Sequence, residues 1–473
     1  MVRYALRIFR ADLVSWVPAM LVTMVVTAMI GACTGQYAWI HGSAFIEAAA
    51  VAGIEPSEFS IALQTVNMLV SFLSVVSLTT IGSAVVARCR QTFSLWRLVG
   101  ASPAQVRICM GALMAIAAGA GACAGALAGV PLAAAATPLV SALGSQGQAF
   151  APPPFSPSLA AVFASFFFGV VICVLGAVVP AVRASRVTAV ETLRAAPPRQ
   201  LASKGRLRSA AGLIVLVVAL VVMAAPYLDS SGWMDASVDF GGAPVYAAAI
   251  NAAVVGGFII AFAAYLLAPM LAHLVLRVAR PLANKLGAQS MLAERAMEFR
   301  LDFSMGVCSI LGSALGLAGI LIVTLRSAIS ILRAYGVEGE VNQVDTLVFV
   351  GVICFIALVT SLAVMALSAR GAAHEQALFR SLGMAPTGVR FFQLDQAILF
   401  SLVACVVALL PMLAAFAGFE AYALLAFAHP VVAFPFDFLV GAFVAMALLL
   451  FAIMHGQVHG ALMRSPTCEL REQ

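Results

Sequence analysis

Few side chains in this chain have the types and spacing that do chemistry. His455 and His459 stand four apart, on one face of a helix, a spacing that can hold a metal. No acidic partner is near them in sequence, so they read as polar residues at the end of an apolar run, and no metal site is expected. Asp395 is the best-placed candidate for a proton site, but capping of a helix N-terminus accounts for it more simply. Asp12, Asp302 and Asp437 also lie near the ends of apolar runs, and Gln64, Asn67 and Asn251 within them are uncharged. An ion-coupled carrier needs ionisable groups at mid-membrane, and almost none are present. The lysines, Lys204 and Lys285, do not sit in a Gly-x-x-x-x-Gly-Lys-Ser/Thr loop. No His-Glu-x-x-His, paired catalytic carboxylates or Ser–His set stands out. The chain is therefore expected to have no catalytic residue and no cofactor of its own.

The elements that carry these residues are apolar. Hydrophobic residues make up 63% of the chain and charged residues 10%, against about 25% charged in a soluble domain. Such a chain cannot cover itself with polar surface in water, so its solvent is lipid. The net charge of +6 needs no nucleic-acid partner, because membrane proteins collect Arg and Lys in cytoplasmic loops. Cys33, Cys109, Cys123, Cys173, Cys308, Cys354 and Cys405 fall inside apolar runs and read as small packing residues, with no CxxC pair.

Apolar runs lie near 13–33, 61–87, 108–136, 158–182, 210–226, 245–276, 304–325, 346–369, 392–417 and 438–458. Most have the roughly 17–25 residues that cross about 30 Å of hydrocarbon as a helix. The runs do not alternate, which argues against a β-barrel. The expected fold is all-α, a polytopic membrane protein of about ten helices. With the N-terminus inside, every Arg and Lys except Arg326 and Arg333 falls on the cytoplasmic side. Both termini then lie inside. The outer connections are short and acidic, and none holds a large external domain. Those near 34–60 and 326–345 have room for a short interfacial helix each. Arg3, Arg7 and Arg10 before the first run resemble a signal peptide, but a retained first span fits the architecture better.

A segment recurs in the two halves. Leu95-Trp96-Arg97-Leu98-Val99-Gly100-Ala101-Ser102-Pro103, with Val106-Arg107, matches Leu378-Phe379-Arg380-Ser381-Leu382-Gly383-Met384-Ala385-Pro386, with Val389-Arg390. Both copies follow an outside-to-inside span, so the halves are parallel repeats. Leu95, Trp96, Leu98 and Val99 make one apolar face of a short helix that Gly100 stops. Leu378, Phe379 and Leu382 are expected to do the same before Gly383. Pro103 and Pro386 then open the next helix. An amphipathic helix across the inner face suits docking to a cytoplasmic partner or anchoring to lipid headgroups, and its duplication favours a two-fold symmetric partner. The resulting division is 1–60, a first helix and short external segment; 61–194, a three-span repeat; 195–303, a linker and two connecting spans; 304–344, the seventh span and external segment; and 345–473, the second three-span repeat.

These runs resemble the FtsX-like (MacB-type) permease domain of ABC transporters. A tail after the third span, Pro180-Ala181-Val182-Arg183 to Glu191-Thr192-Leu193-Arg194, is similar to that family's, and Ser465-Pro466 to Glu469-Leu470-Arg471 matches it more loosely. The resemblance implies a permease in the bacterial cytoplasmic membrane, served by two ABC ATPase subunits that hold the ATP and magnesium. Coupling to them would fall on Leu95, Trp96, Arg97, Gly100, Pro103 and Arg107, and on Glu375, Leu378, Phe379, Arg380, Gly383, Pro386 and Arg390. The first copy has Thr92 where the second has the family's acidic residue, Glu375, so the two docking sites are expected to be unequal. The large external domains of many family members are missing, so the substrates of those relatives do not carry over. The short outer loops suit an amphipathic peptide, lipid or drug handled at the outer leaflet. A sensor kinase as a further partner would point to peptide resistance. The competing readings are an ion-coupled carrier and a non-transporting ABC-type regulator of cell-envelope enzymes.

Overall fold

The computed structural model describes residues 7, 9, 13–52, 56–144, 152–186, 201–228, 237–240, 243–299, 301–334, 344–427, 430 and 432–462. Among these, ten helices are long and apolar enough to cross a membrane, each matching one apolar run. The chain forms two units. Unit 1 comprises Met1–Pro198 with Leu347–Leu367, and unit 2 comprises Arg199–Thr346 with Ser368–Gln473.

Unit 1 holds α1 (Leu13–Ile40), α2 (Ser43–Ala52), α3 (Pro56–Arg88), α4 (Arg90–Leu98), α5 (Pro103–Gly144) and α6 (Leu159–Ser185). At about 1.5 Å per residue, the 42 residues of α5 run to about twice the hydrocarbon thickness. Small residues bring α1 onto α5, as the Gly- and Ala-rich sequence from Gly119 to Gly125 suggests. A Cβ at Gly121 would stand 2.6 Å from the Met20 carbonyl, and one at Gly129 would stand 2.9 Å from the Gly31 Cα. Gln36 of α1 donates to the Ala133 carbonyl and to Thr137 Oγ1 of α5. At that end α2 closes an aromatic knot: Trp39, Phe45, Phe59 and Leu63 are buried together with Val140. The Trp39–Phe45 and Phe45–Phe59 ring centroids lie 4.8 and 5.2 Å apart. The short helix expected between residues 34 and 60 is thus α2, and α1 and α3 also extend into that interval.

Unit 2 holds α7 (Leu201–Leu228), β1 (Ser237–Phe240), β2 (Ala243–Tyr246), α8 (Ala247–Leu286), α9 (Ala288–Phe299), α10 (Leu301–Ala334), α12 (Pro386–Phe427) and α13 (Phe436–Leu462). The remaining helix, α11 (Val344–Ser381), gives Leu347–Leu367 to unit 1 and the rest, its last turns included, to unit 2. In unit 2, α12 sits among its neighbours. Leu410 and Ala414 pack with Ala219, Met223 and Ile260 of α7 and α8, and Cys405 and Ala408 pack with Leu315 of α10 and Phe438 and Phe443 of α13. Of the interval 326–345, α10 takes the residues up to Ala334, and 335–343, where a second short helix was expected to have room, lie outside the described residues.

The structure shows the expected all-α polytopic fold, with one small addition and one correction concerning the cysteines. A two-stranded antiparallel ribbon pairs Ser237 with Tyr246 and Phe240 with Ala243. The intervening Gly241-Gly242 and the flanking Val and aromatic residues are hairpin chemistry that an all-helix description leaves out. Cys123 and Cys354 are exposed on their helices rather than packed inside them, although Cys33, Cys109, Cys173, Cys308 and Cys405 are buried.

Candidate coupling site

The repeated segment folds, in each unit, into a sharp elbow with one backbone plan. In unit 1 the Gly100 N–H reaches the Arg97 carbonyl at 3.2 Å, and the Ala101 N–H reaches the Trp96 carbonyl at 2.9 Å. In unit 2 the Gly383 N–H reaches the Arg380 carbonyl, and the Met384 N–H reaches the Phe379 carbonyl, both at 3.0 Å. This is the Schellman stop, and it needs a left-handed residue at its turn. Gly100 and Gly383 supply it, with φ of 99° and 97°. Pro103 and Pro386 are then the first residues of α5 and α12, where a missing N–H costs nothing.

The two elbows differ on their approach. The first follows a break at Cys89, so α4 is a separate helix of nine residues. The second does not. Leu378 and Phe379 belong to the last turns of a continuous α11, and Leu382 lies just beyond its end. Ala372 and Ala373 stand where Cys89 and Arg90 stand in the first copy, and alanine propagates a helix. The apolar face is also narrower than expected. Leu95, Leu98 and Val99 are exposed, Val99 to 90%, but Trp96 is half-buried with its ring 5.4 Å from that of Phe93. Phe379 is half-buried too, 5.4 Å from Phe392 of α12, while Leu378 and Leu382 are exposed.

Of the basic residues, Arg97 turns back on its own elbow and donates to the Ala101 carbonyl at 2.9 Å. Arg107 stands 3.5 Å from Ser185 Oγ at the end of α6. Arg380 is half-buried and Arg390 exposed. The Glu375 side chain is outside the described residues, and Thr92 is exposed. In unit 1 the tail motif locks onto α3. The Pro180 ring fills the space over Gly82, 2.5 Å from where a Cβ would be, and Arg183 donates to Ser83 Oγ at 2.9 Å. Glu191 to Arg194 and Ser465 to Arg471, which complete the two tails, lie outside the described residues.

Other candidates resolve as follows. Asp395 is not an N-terminal cap. Because α12 starts at Pro386, Asp395 lies in its third turn and accepts from Ser290 Oγ of α9 at 2.8 Å. His455 Nδ1 is 3.3 Å from Gln393 Oε1, the His459 side chain is outside the described residues, and no metal-ligand cluster occurs among those described. Arg326, one of the two basic residues not expected on the cytoplasmic side, makes a bidentate pair with Asp437 at 2.7 and 2.6 Å. Sequence reading missed α9 altogether. Its signal was Glu294 and Glu298, four apart, in a stretch that mixes polar and apolar residues and follows the basic segment around Arg280.

Residues 65–189 match the family described as FtsX-like permease C-terminal. No curated protein matches the chain significantly in sequence. The matched segment begins within α3, takes in the first elbow and ends just past α6, so that it contains the Gly82–Pro180 lock and the Gly100 stop. With three apolar spans folded around that elbow, residues 65–189 are similar to an FtsX-like permease C-terminal domain, and the ten long apolar helices among the described residues make the chain a multi-pass membrane protein.

Proposed function

We propose that the chain is the permease subunit of an ABC transporter in a bacterial cytoplasmic membrane, driven by a pair of ATPase subunits on separate chains. FtsX-like permeases pair with such ATPases, and the elbows at Gly100 and Gly383 are the points that receive their motion. ATP and magnesium belong to the partner. The elbows lie on the cytoplasmic side, and the work is done on an amphipathic peptide, lipid or drug at the outer leaflet.

The observation that carries this reading is the recurrence of one device. Two Schellman stops, each followed by proline at the first residue of a long span, stand 283 residues apart, and the same separation reappears inside unit 1. There Thr360 Oγ1 donates to Ser77 Oγ at 3.1 Å, with both side chains buried. Residues of equal rank on α3 and α11 thus touch. A fourth helix joins each repeat. Gly121, Gly125 and Gly129 on α5 receive α1, while Ala404, Ala408 and Met412, which hold the same ranks on α12, receive Gly312, Gly316 and Gly319 of α10.

The test uses the exposed apolar residues, because Arg97 also holds its own turn. Val99→Asp with Leu382→Asp in one chain is expected to abolish stimulation of a co-expressed ABC ATPase. The detergent melting temperature should stay within about 2 °C of the parent, as surface changes cost only about ±0.5 kcal/mol. Full stimulation in that variant would refute the assignment.

A further inference from the structure

The two elbows share a backbone but not the way the helix after each is capped. In the first, Ser102 and Gln105 form a reciprocal box. The Ser102 N–H donates to Gln105 Oε1 at 2.8 Å, and the Gln105 N–H donates to Ser102 Oγ at 3.2 Å. In the second, the same two ranks hold Ala385 and Gly388, which have no group for either bond. The α9 helix lies there instead. Gly388 is buried, and a Cβ on it would come within 3.3 Å of Gln289 Nε2. One residue on, Ser290 donates to Asp395 on the same stretch of α12.

The α9 helix is tied in turn to α8. Arg280 donates to Glu294 Oε1 through Nε at 3.1 Å and through Nη2 at 2.9 Å, and to Glu298 Oε2 at 2.7 Å. The Glu294 side chain is 2% exposed while that of Arg280 is 48% exposed. A carboxylate that deeply placed requires its cation, so the pair fixes where α9 can lie. Gly287, with φ of 134°, makes the turn that folds α9 back.

We infer that α9 is a brace that replaces the missing cap of the second elbow, with Arg280, Glu294, Ser290 and Asp395 as its positioning residues. The first turns of α12 and the end of α8 then move as one body when the Gly383 elbow is pushed. The coupling role rests on the permease reading, but the brace itself does not.

The test separates the two. In the purified chain in nanodiscs, Glu294→Gln and Asp395→Asn are each expected to raise amide exchange over residues 386–392 by about tenfold, the scale of losing a helix cap. Residues 103–109 of the first elbow serve as the internal control and should not change. Adding Ala385→Ser with Gly388→Gln to Glu294→Gln installs a capping box where α9 no longer blocks it, and should restore protection. A Glu294 that served only to pack α8 would not be rescued in this way. Unchanged exchange over 386–392 in both single variants, or failure of the installed box to restore it, overturns the brace. Should Glu294→Gln not fold, Ser290→Ala reports on the same contact. In the complex with the ATPase, Glu294→Gln should also lower stimulated hydrolysis. Loss of protection with normal stimulation would keep the brace and reject its part in coupling.

Discussion

Gly82 shows how much one position can decide. It sits on α3 under the Pro180 ring, and two motif residues, Pro180 and Arg183, depend on the space it leaves. Gly82→Val puts a branched side chain where the ring lies. Overpacking of this kind costs about 1–3 kcal/mol. The expected result is a fall in the melting temperature of the purified protein, with Ser83 no longer held by Arg183. Replacement by alanine should act in the same direction, but less. The Arg326–Asp437 pair is a contrasting case. Its geometry is close to ideal, yet both side chains are substantially exposed, 43% and 67%. Such pairs contribute about 0.2–1 kcal/mol. A double-mutant cycle with Arg326→Ala and Asp437→Ala, read by thermal unfolding, is expected to return a coupling in that range and to shrink in high salt. A coupling of several kcal/mol would show that lipid or a neighbouring helix dries the pair.

At the scale of elements, the spans were legible because apolar length is a strong signal and nothing in the sequence competes with it. The elbow stops were legible too, because only glycine sits comfortably at the left-handed turn that a Schellman stop requires. The break at Cys89 was not legible. No Pro or Gly marks it, and the corresponding Ala372 stays helical. The position of α9 escaped for a different reason: a twelve-residue helix outside the apolar runs is fixed by tertiary contacts through Glu294 and Ser290, not by its own periodicity. Phe9-Arg10-Ala11-Asp12-Leu13 and Phe299-Arg300-Leu301-Asp302-Phe303 resemble one another where α1 and α10 begin, a signal that the longer elbow motif overshadowed. The capping box gives the sharpest prediction at this scale. Ser102→Ala should cost about 1 kcal/mol and raise amide exchange in the first turn of α5 several-fold. The same experiment on Ala385→Ser alone should change little, because α9 already holds this stretch of α12 through Ser290 and Asp395.

For the whole molecule, sidedness can be checked without any partner. Every basic residue but Arg326 and Arg333 sorts to one face when ten spans alternate. Cysteines introduced at Gly100 and Gly383, in a background where the native cysteines are replaced by alanine, are therefore expected to react with a membrane-impermeant maleimide only in inside-out vesicles. Reaction of one in each orientation would break the parallel repeat and, with it, the permease reading. The broad class was readable because an excess of apolar residues leaves few alternatives. The cargo was not, since its recognition requires a surface that composition does not describe.

The aromatic knot of Trp39, Phe45 and Phe59 has a consequence for how unit 1 is seated. Most transmembrane segments take their depth from the match between apolar length and lipid thickness. The α5 helix is apolar for about twice that thickness and could slide along its axis with little change in the surface it offers to lipid. The folded bundle of rings at its far end, bound to Val140, acts as a rivet head that is too wide to follow a single helix inward. Immersion depth in this unit is thereby set by a mechanical stop, and a change of lipid chain length should leave it in place.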